Sequence, residues 1–126
     1  MKSAFSKSIL LMVLVLLAIS GHAQEETKQT VALSPKVGNE LLKLQKLVEE
    51  QQFAEAQSGL TKMREMKNLS AYESAQIWNL TAYTHYLTEN YDAALQSYEK
   101  VLSAGEIPLA LQQSTLNVMS QLYFTT

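Results

Sequence analysis

The sequence contains few side chains suited to chemistry, and none of them stands in a catalytic pattern. Of its two histidines, His22 lies just after an apolar N-terminal run and His85 lies in a helical pattern. No cysteine, aspartate or second histidine lies at metal-ligand spacing from His85, so a packed, hydrogen-bonded ring is expected there. Glycine-rich phosphate loops and nucleophile elbows are absent as well. The sequence therefore predicts a protein that is not an enzyme and needs no cofactor.

Methionine and acidic residues could indicate a metal site, but their spacing indicates ordinary roles. Met63, Met66 and Met119 follow the apolar faces of helical patterns, which predicts that they fill the core rather than bind copper. The pairs Glu25-Glu26 and Glu49-Glu50 are interpreted as solvated surface groups, since calcium would need a loop with several more oxygen ligands. No metal site is predicted.

Residues 1–23 have the features of a secretory signal peptide. Lys2 and Lys7 precede an unbroken apolar run over residues 9–19, and Gly21-His22-Ala23 supplies small residues for cleavage after Ala23. An uncleaved anchor helix is the alternative, although this apolar run is short for crossing a bilayer. No cysteine follows the run, and no other stretch is apolar enough for membrane insertion after cleavage.

The net charge and the absence of cysteine limit which partners and which cellular compartment are expected. Removing Lys2 and Lys7 leaves eight basic against twelve acidic residues, a net charge of −4 for the mature chain. An acidic, mixed surface argues against nucleic acid and anionic membranes as partners. Because the chain has no cysteine, an exported form must be stabilised by packing alone, which favours a bacterial periplasm.

After a polar leader over residues 24–33, the pattern predicts a single all-α domain of about five helices over residues 34–126. Helix starts are marked by Ser34 with Pro35, by a capping box of Ser70 with Glu73, and by Pro108. Apolar residues at intervals of three and four predict the helices between these signals. Their expected spans are 35–51, 53–66, 71–88, 91–103 and 108–126, and the buried face of the fifth is expected to contain Leu109, Leu116, Met119 and Tyr123.

An internal repeat runs through this domain, with equivalent residues thirty-eight positions apart; we call this interval the repeat spacing. The equivalent pairs are Phe53 and Tyr91, Ala56 and Ala94, Leu60 and Tyr98, and Trp78 and Leu116. The repeats are expected at about 37–66, 71–103 and 108–126, the last one partial. Helices pair in such folds, so the final helix would have an open face. That face could cap the domain, associate with a second copy, or mark a truncated piece of a longer array; Tyr123-Phe124 favours truncation.

The stretch over residues 75–102, AQIWNLTAYTHYLTENYDAALQSYEKVL, resembles a tetratricopeptide repeat. The residues that match the family pattern are Trp78, Ala82, Tyr91, Ala94 and Tyr98, whereas Thr81, His85, Glu89 and Val101 depart from it. The repeat spacing exceeds the family's usual period of about 34 residues by four, which is close to one helical turn at the front of the first helix. The resemblance implies stacked helical hairpins with a concave surface that binds a peptide or helix segment of another protein.

In that family the first helix of each repeat lines the concave surface. Carried over residue by residue, the resemblance places eight residues on this surface. Two of them, Ser114 and Phe124, are not included in the predicted site given below, and Phe124 is better explained by packing on further helices. Amides can form paired hydrogen bonds with a peptide backbone, and tyrosines give rigid contact area. The predicted partner-binding residues are Gln76, Asn79, Tyr83, Tyr86, Asn117 and Gln121.

A finer resemblance concerns the runs SPKVGNELLKLQKLVEEQQFAEA, AYTHYLTENYDAALQSYEKVL and LQQSTLNVMSQLYF. They are similar to the start of exported tetratricopeptide proteins associated with TonB systems, which accompany TonB, ExbB and ExbD in iron uptake. The resemblance implies a periplasmic scaffold that is an accessory component of such a system. The alternative is an envelope-assembly adaptor for the divisome, a pilus or outer-membrane biogenesis.

Overall fold

The computed structural model describes residues 32–126, and this part of the chain contains five α-helices and no strand. The expected all-α class is therefore confirmed, with helix boundaries close to those predicted. The predicted signal peptide, and residues 24–31 of the predicted leader, lie outside the described residues. The helices are α1 (Pro35–Glu49), α2 (Phe53–Arg64), α3 (Ala71–Leu87), α4 (Tyr91–Leu102) and α5 (Leu109–Thr125).

The predicted caps form at the starts of α1 and α3. The Ser34 hydroxyl accepts a hydrogen bond from the backbone N–H of Val37, with Pro35 in the first turn. At α3 the capping box is complete: Glu73 N–H donates to the Ser70 hydroxyl (3.0 Å), and Ser70 N–H donates to Glu73 Oε1 (3.1 Å). These bonds satisfy amides that a helix start otherwise leaves unpaired.

The turns that follow α1 and α3 use the same backbone device. Gln51 follows α1 with φ 62°, and Glu89 follows α3 with φ 60°. In each turn the N–H of the next residue donates a hydrogen bond to a carbonyl in the last turn of the helix. Gln52 donates to the Leu47 carbonyl (2.8 Å) and Asn90 donates to the His85 carbonyl (2.9 Å). This is the Schellman arrangement, whose left-handed position is most often glycine. Two non-glycine residues therefore occupy a backbone conformation that glycine adopts at lower cost.

The central helix α3 contributes to both hydrophobic clusters of the described chain. Each helix packs against the next one, most extensively α3 against α4, and α1 also packs against α3. The first cluster joins α1, α2 and α3 and includes Leu44, Leu60 and Ile77. The second joins α3, α4 and α5 and includes Tyr98 and Leu111. Because α3 is buried on nearly all sides, it positions the residues that sequence analysis assigned to a partner site.

Small residues allow the helices to approach closely. Ala56 and Ala94, which are one repeat spacing apart, are both fully buried. At Gly59 an added Cβ would collide with the side chain of Leu44 across the α1–α2 contact. Bulk at these positions would separate the helices, as expected for a closely packed interior.

The buried face of α5 differs from the one predicted. Leu109, Leu116 and Tyr123 are exposed, and only Met119 of the expected set is buried. The prediction followed the largest apolar side chains, whereas the observed face includes a threonine whose hydroxyl donates to the Leu111 carbonyl (2.7 Å) and so costs little to bury. The residues that α5 buries are Leu111, Thr115, Val118, Met119 and Leu122.

The repeat spacing is also present in three dimensions. Helix α4 begins one repeat spacing after α2 and both have 12 residues, and α5 begins one repeat spacing after α3 and both have 17 residues. Every residue that α5 buries lies one repeat spacing after a residue that α3 buries. Those α3 residues are Glu73, Ile77, Leu80, Thr81 and Thr84.

Candidate partner-binding surface

The predicted partner-binding residues differ in exposure. Those on α5, Asn117 and Gln121, are exposed. On α3, Gln76, Asn79 and Tyr83 are buried, each with 2–3% of its surface exposed, whereas Tyr86 is partly buried. The prediction expected an open surface there, and the difference arises because α3 is the central helix and contributes to both clusters. Whether these residues bind a partner stays a prediction.

Asn79 has the only buried side-chain nitrogen or oxygen atom of residues 32–126 that lacks a hydrogen-bond partner. The atom is Nδ2 of its amide. Its neighbour one turn earlier is satisfied, since Gln76 Nε2 donates to the Tyr72 hydroxyl at 3.0 Å. A buried amide without an acceptor costs about 1–3 kcal/mol. Asn79 is thus a donor placed where a carbonyl oxygen could stabilise the structure.

Four tyrosines come together between the second half of α3 and α4. The rings of Tyr86 and Tyr91 lie 5.7 Å apart and are tilted by 53°. Burial, with Tyr91 and Tyr83 nearby, raises the pKa of Tyr86 to about 12. Burial, with Tyr83 and Tyr86 nearby, also raises the pKa of Tyr98. Tyr86 and Tyr98 are therefore neutral at physiological pH, and they offer ring surface and hydroxyl hydrogen bonds rather than a nucleophilic phenolate.

A polar cluster between α2 and α3 was not found by sequence analysis. The guanidinium of Arg64 lies 4.6 Å from the centre of the Trp78 ring and donates to the hydroxyls of Thr61 and Thr81, each at 3.0 Å. The ring contact adds a cation–π attraction to the Arg64–Thr81 hydrogen bond between the two helices, while the bond to Thr61 lies within α2. Only the register between α2 and α3 brings these residues together, so no signal along the chain could reveal the contact.

His85 belongs to the same region and takes the packed role expected for it. It is partly buried, and its Nδ1 lies 3.4 Å from Nε2 of Gln57. Burial, together with the nearby Arg64 charge, lowers the pKa of His85. The neutral ring can then accept a hydrogen bond from Gln57, which ties α3 to α2.

A shallow cavity of about 220 Å³ lies between α1 and α2. Its two lysines and two methionines would suit a small amphipathic anion, but the cavity is open and Glu40 lines it as well. The residues that line it are Lys36, Glu40, Gly59, Lys62, Met63 and Met66.

Within residues 32–126 no three histidine, aspartate or glutamate side chains gather in a way that could hold a metal ion. The methionines have the expected core role, since Met63 and Met119 are buried and Met66 packs against the first cluster. None of the five described helices combines the length and hydrophobicity needed to span a bilayer.

Comparison with known proteins gives no further guide to the site. No protein-family model matches the chain, and neither the curated proteins nor the solved structures include a significant match to it.

Proposed function

We propose that this protein is a periplasmic scaffold built from tetratricopeptide-like helical hairpins, which binds a peptide or helix segment of a partner protein. The partner would belong to a TonB energy-transduction system for iron or siderophore uptake. Neither an enzymatic activity nor a cofactor is part of this proposal.

The hairpin repeat is supported by the recurrence of whole elements. Two pairs of helices have matching lengths at the repeat spacing, and the turns at Gln51 and Glu89 have matching backbone geometry at the same interval. Helices of a repeat array pack mainly on their neighbours in the chain, as these do.

The observation that carries the binding role is the unpaired amide of Asn79. Peptide backbones present carbonyl oxygens, which are the acceptors that a carboxamide donor prefers. Asn117 stands at the equivalent position of α5, one repeat spacing later, and is exposed. Two amides at one repeat position would hold an extended or helical segment at two points along its length.

The buried state of Gln76, Asn79 and Tyr83 means that binding requires a change in what covers them. A partner that supplies an acceptor for Asn79 would recover part of the cost of that change. Asn117, Gln121 and the partly exposed Tyr86 can be reached without it.

Affinity purification from a cell-envelope extract, with the complete protein as bait, tests the proposal. Recovery of TonB, ExbB or ExbD supports the transport role, and impaired growth of a deletion strain under iron limitation would agree with it. Recovery of cell-wall enzymes or pilus components would support the envelope-assembly alternative and contradict the TonB assignment.

Variants separate the binding surface from the fold. Asn117→Ala and Gln121→Ala change exposed side chains, so they should weaken partner capture while leaving the helical circular dichroism signal unchanged. Exposed Gln96→Ala on α4 serves as the control and should bind normally. Equal capture by all three variants would show that the partner does not use this surface. Tyr83→Ala is unsuitable because removing a buried ring costs about 3–5 kcal/mol of stability.

A further inference from the structure

The only arginine of the sequence lies against its only tryptophan. Arg64 is the last residue of α2, Trp78 lies in the middle of α3, and both side chains are partly exposed. The guanidinium lies over the Trp78 ring, and that ring packs against the second cluster. A cation and an aromatic surface are therefore held together where solvent can still reach them.

Two threonine hydroxyls fix the orientation of the guanidinium. Nη1 of Arg64 donates to the Thr81 hydroxyl and Nη2 donates to the Thr61 hydroxyl. Both hydroxyls give their own hydrogens to backbone carbonyls, Thr81 to Ile77 (2.8 Å) and Thr61 to Gln57 (2.9 Å), so they can only accept from Arg64. The other N–H groups of the guanidinium have no acceptor within residues 32–126, and they point to a ligand that accepts hydrogen bonds.

The charge of Arg64 is not compensated by a carboxylate. Its acceptors within the described chain are neutral hydroxyls. Burial lowers the pKa of Arg64 and outweighs the opposite effect of the neighbouring Glu65 charge. Since burial disfavours a charge that has no counter-ion, an anion bound at Arg64 would recover part of this cost.

The fold does not require polar groups at these positions. One repeat spacing after Arg64 and Thr81 are Leu102 and Met119, which pack in the second cluster. The contact between α4 and α5 therefore forms with apolar side chains where the contact between α2 and α3 has a cation and a hydroxyl. Replacing a partly buried charge by apolar side chains is often neutral for stability, so packing alone does not explain Arg64.

We propose that Arg64 and Trp78 form a binding site for a carboxylate group. The planar guanidinium offers paired N–H donors whose spacing matches the two oxygens of a carboxylate. An apolar or aromatic part of the same ligand can lie against the exposed part of the Trp78 ring. The carboxylate can belong to an acidic side chain or to a chain terminus, because both present the same two oxygens. The site uses none of the predicted partner-binding residues, so it does not depend on the proposed function.

Nuclear magnetic resonance titration of the complete protein tests the site, because the single tryptophan gives a single indole N–H signal. N-acetylglutamic acid α-amide carries only a side-chain carboxylate, and N-acetylphenylalanine carries only a terminal one. At least one of them should shift the Trp78 signal saturably, with a dissociation constant of about 1–10 mM at low salt. The probe that saturates at the lower concentration identifies the source of the carboxylate. The matched neutral compounds, N-acetylglutamine amide and N-acetylphenylalanine amide, should give no saturable shift.

Variants of Arg64 separate binding from folding. Arg64→Leu places at this position the residue found one repeat spacing later, so its circular dichroism should be unchanged while carboxylate binding weakens at least about tenfold. Arg64→Lys keeps the charge without the paired donors and should bind with intermediate affinity. Exposed Lys67→Leu removes the same charge three residues away and should bind as the unmodified protein does.

Four results would overturn the proposal. One is the absence of a saturable shift with either carboxylate up to about 50 mM. Another is an equal shift with the neutral amides, which would assign the effect to the ring alone. A third is equal weakening by Lys67→Leu, or full binding by Arg64→Leu, which would remove the role of Arg64. The last is an equal saturable shift with sodium sulfate at matched ionic strength, which would indicate a general anion site that does not select carboxylates.

Discussion

At the scale of single residues, the carboxylate of Glu73 joins the beginnings of two helices. Beyond its capping box with Ser70, its Oε2 accepts hydrogen bonds from the Ser34 hydroxyl (2.7 Å) and the Ser34 N–H (3.0 Å). Burial alone would raise the pKa of Glu73, but the hydrogen bonds from Ser34 and Ser70 outweigh burial and lower it. The charged carboxylate therefore stabilises the start of α1 as well as that of α3.

Replacing Glu73 by Gln should lower the free energy of unfolding by about 1–3 kcal/mol at neutral pH, because hydrogen bonds to a charged acceptor are lost. A folded-state pKa below the usual value means that this stabilisation is present above about pH 4.5 and is lost as the pH falls through the lowered pKa. Urea unfolding at a series of pH values from neutral into acid should thus show the two proteins converging in acid.

Exposed Glu99→Gln on α4 is the control for the loss of one charge and should change stability by less than about 0.5 kcal/mol. A constant difference between the Glu73→Gln variant and the unmodified protein at every pH would show that the carboxylate charge is not what stabilises the two helix starts.

Asn79→Leu should raise the free energy of unfolding by about 1 kcal/mol while lowering partner affinity. The change removes a buried donor that has no acceptor and keeps a similar shape. Chemical denaturation measures the first effect, and partner capture measures the second.

The matched control is Asn39→Leu on the exposed surface of α1, which accounts for the better helix propensity of leucine. If Asn79→Leu destabilises the protein relative to this control, the Asn79 amide is satisfied in solution and the basis of the proposed binding role is removed.

At the scale of elements, the turns after α1 and α3 have unfavourable residues in left-handed conformations. Gln51→Gly should raise the free energy of unfolding by about 0.5–1 kcal/mol, since glycine adopts the left-handed φ of this turn without the cost that a Cβ imposes. Thermal and urea unfolding measure the change.

The control uses the same substitution within a helix. Gln96→Gly, at an exposed position in α4, should lower the free energy of unfolding by about 1 kcal/mol. A destabilising Gln51→Gly would indicate that the glutamine side chain contributes an interaction larger than the backbone strain.

Local sequence signals predicted the helices well and the faces of the last helix poorly. The caps at Ser34 and Ser70 depend on residues within one turn, so they could be identified from spacing alone. The link from Ser34 to Glu73 joins residues that are far apart in the chain and requires knowledge of how the hairpins stack. For α5 the repeat register was the better guide to burial than side-chain size, because Thr115 occupies the equivalent of buried Ile77.

At the scale of the whole molecule, α3 joins the two hydrophobic clusters, so we expect the described chain to unfold as one cooperative unit. Residues of α3 belong to both clusters. Hydrogen bonds also join α3 to the other two helices, from Arg64 of α2 to Thr81 and from Ser34 at the start of α1 to Glu73. Disruption of the hairpin formed by α1 and α2 would therefore expose one side of α3 and weaken the packing of α3 on α4. Local unfolding of α1 and α2 alone should be rare.

Leu44→Ala tests this coupling, because Leu44 lies in the first cluster and the single tryptophan, Trp78, packs against the second. The substitution should lower stability by about 2–5 kcal/mol and shift the unfolding midpoints of tryptophan fluorescence and circular dichroism together. Exposed Leu42→Ala should shift neither by much. Separate midpoints would show that the hairpins unfold independently.

The matching turns at Gln51 and Glu89 have a consequence for how the chain could be lengthened. The segment over residues 53–90 begins just after the turn at Gln51 and ends just after the turn at Glu89. Its last residue, Asn90, could therefore be followed by Phe53 of a second copy of the same segment. Insertion of a duplicate after Asn90 would keep the existing peptide geometry at both junctions. Duplication of residues 53–90 should therefore give repeat arrays of different lengths.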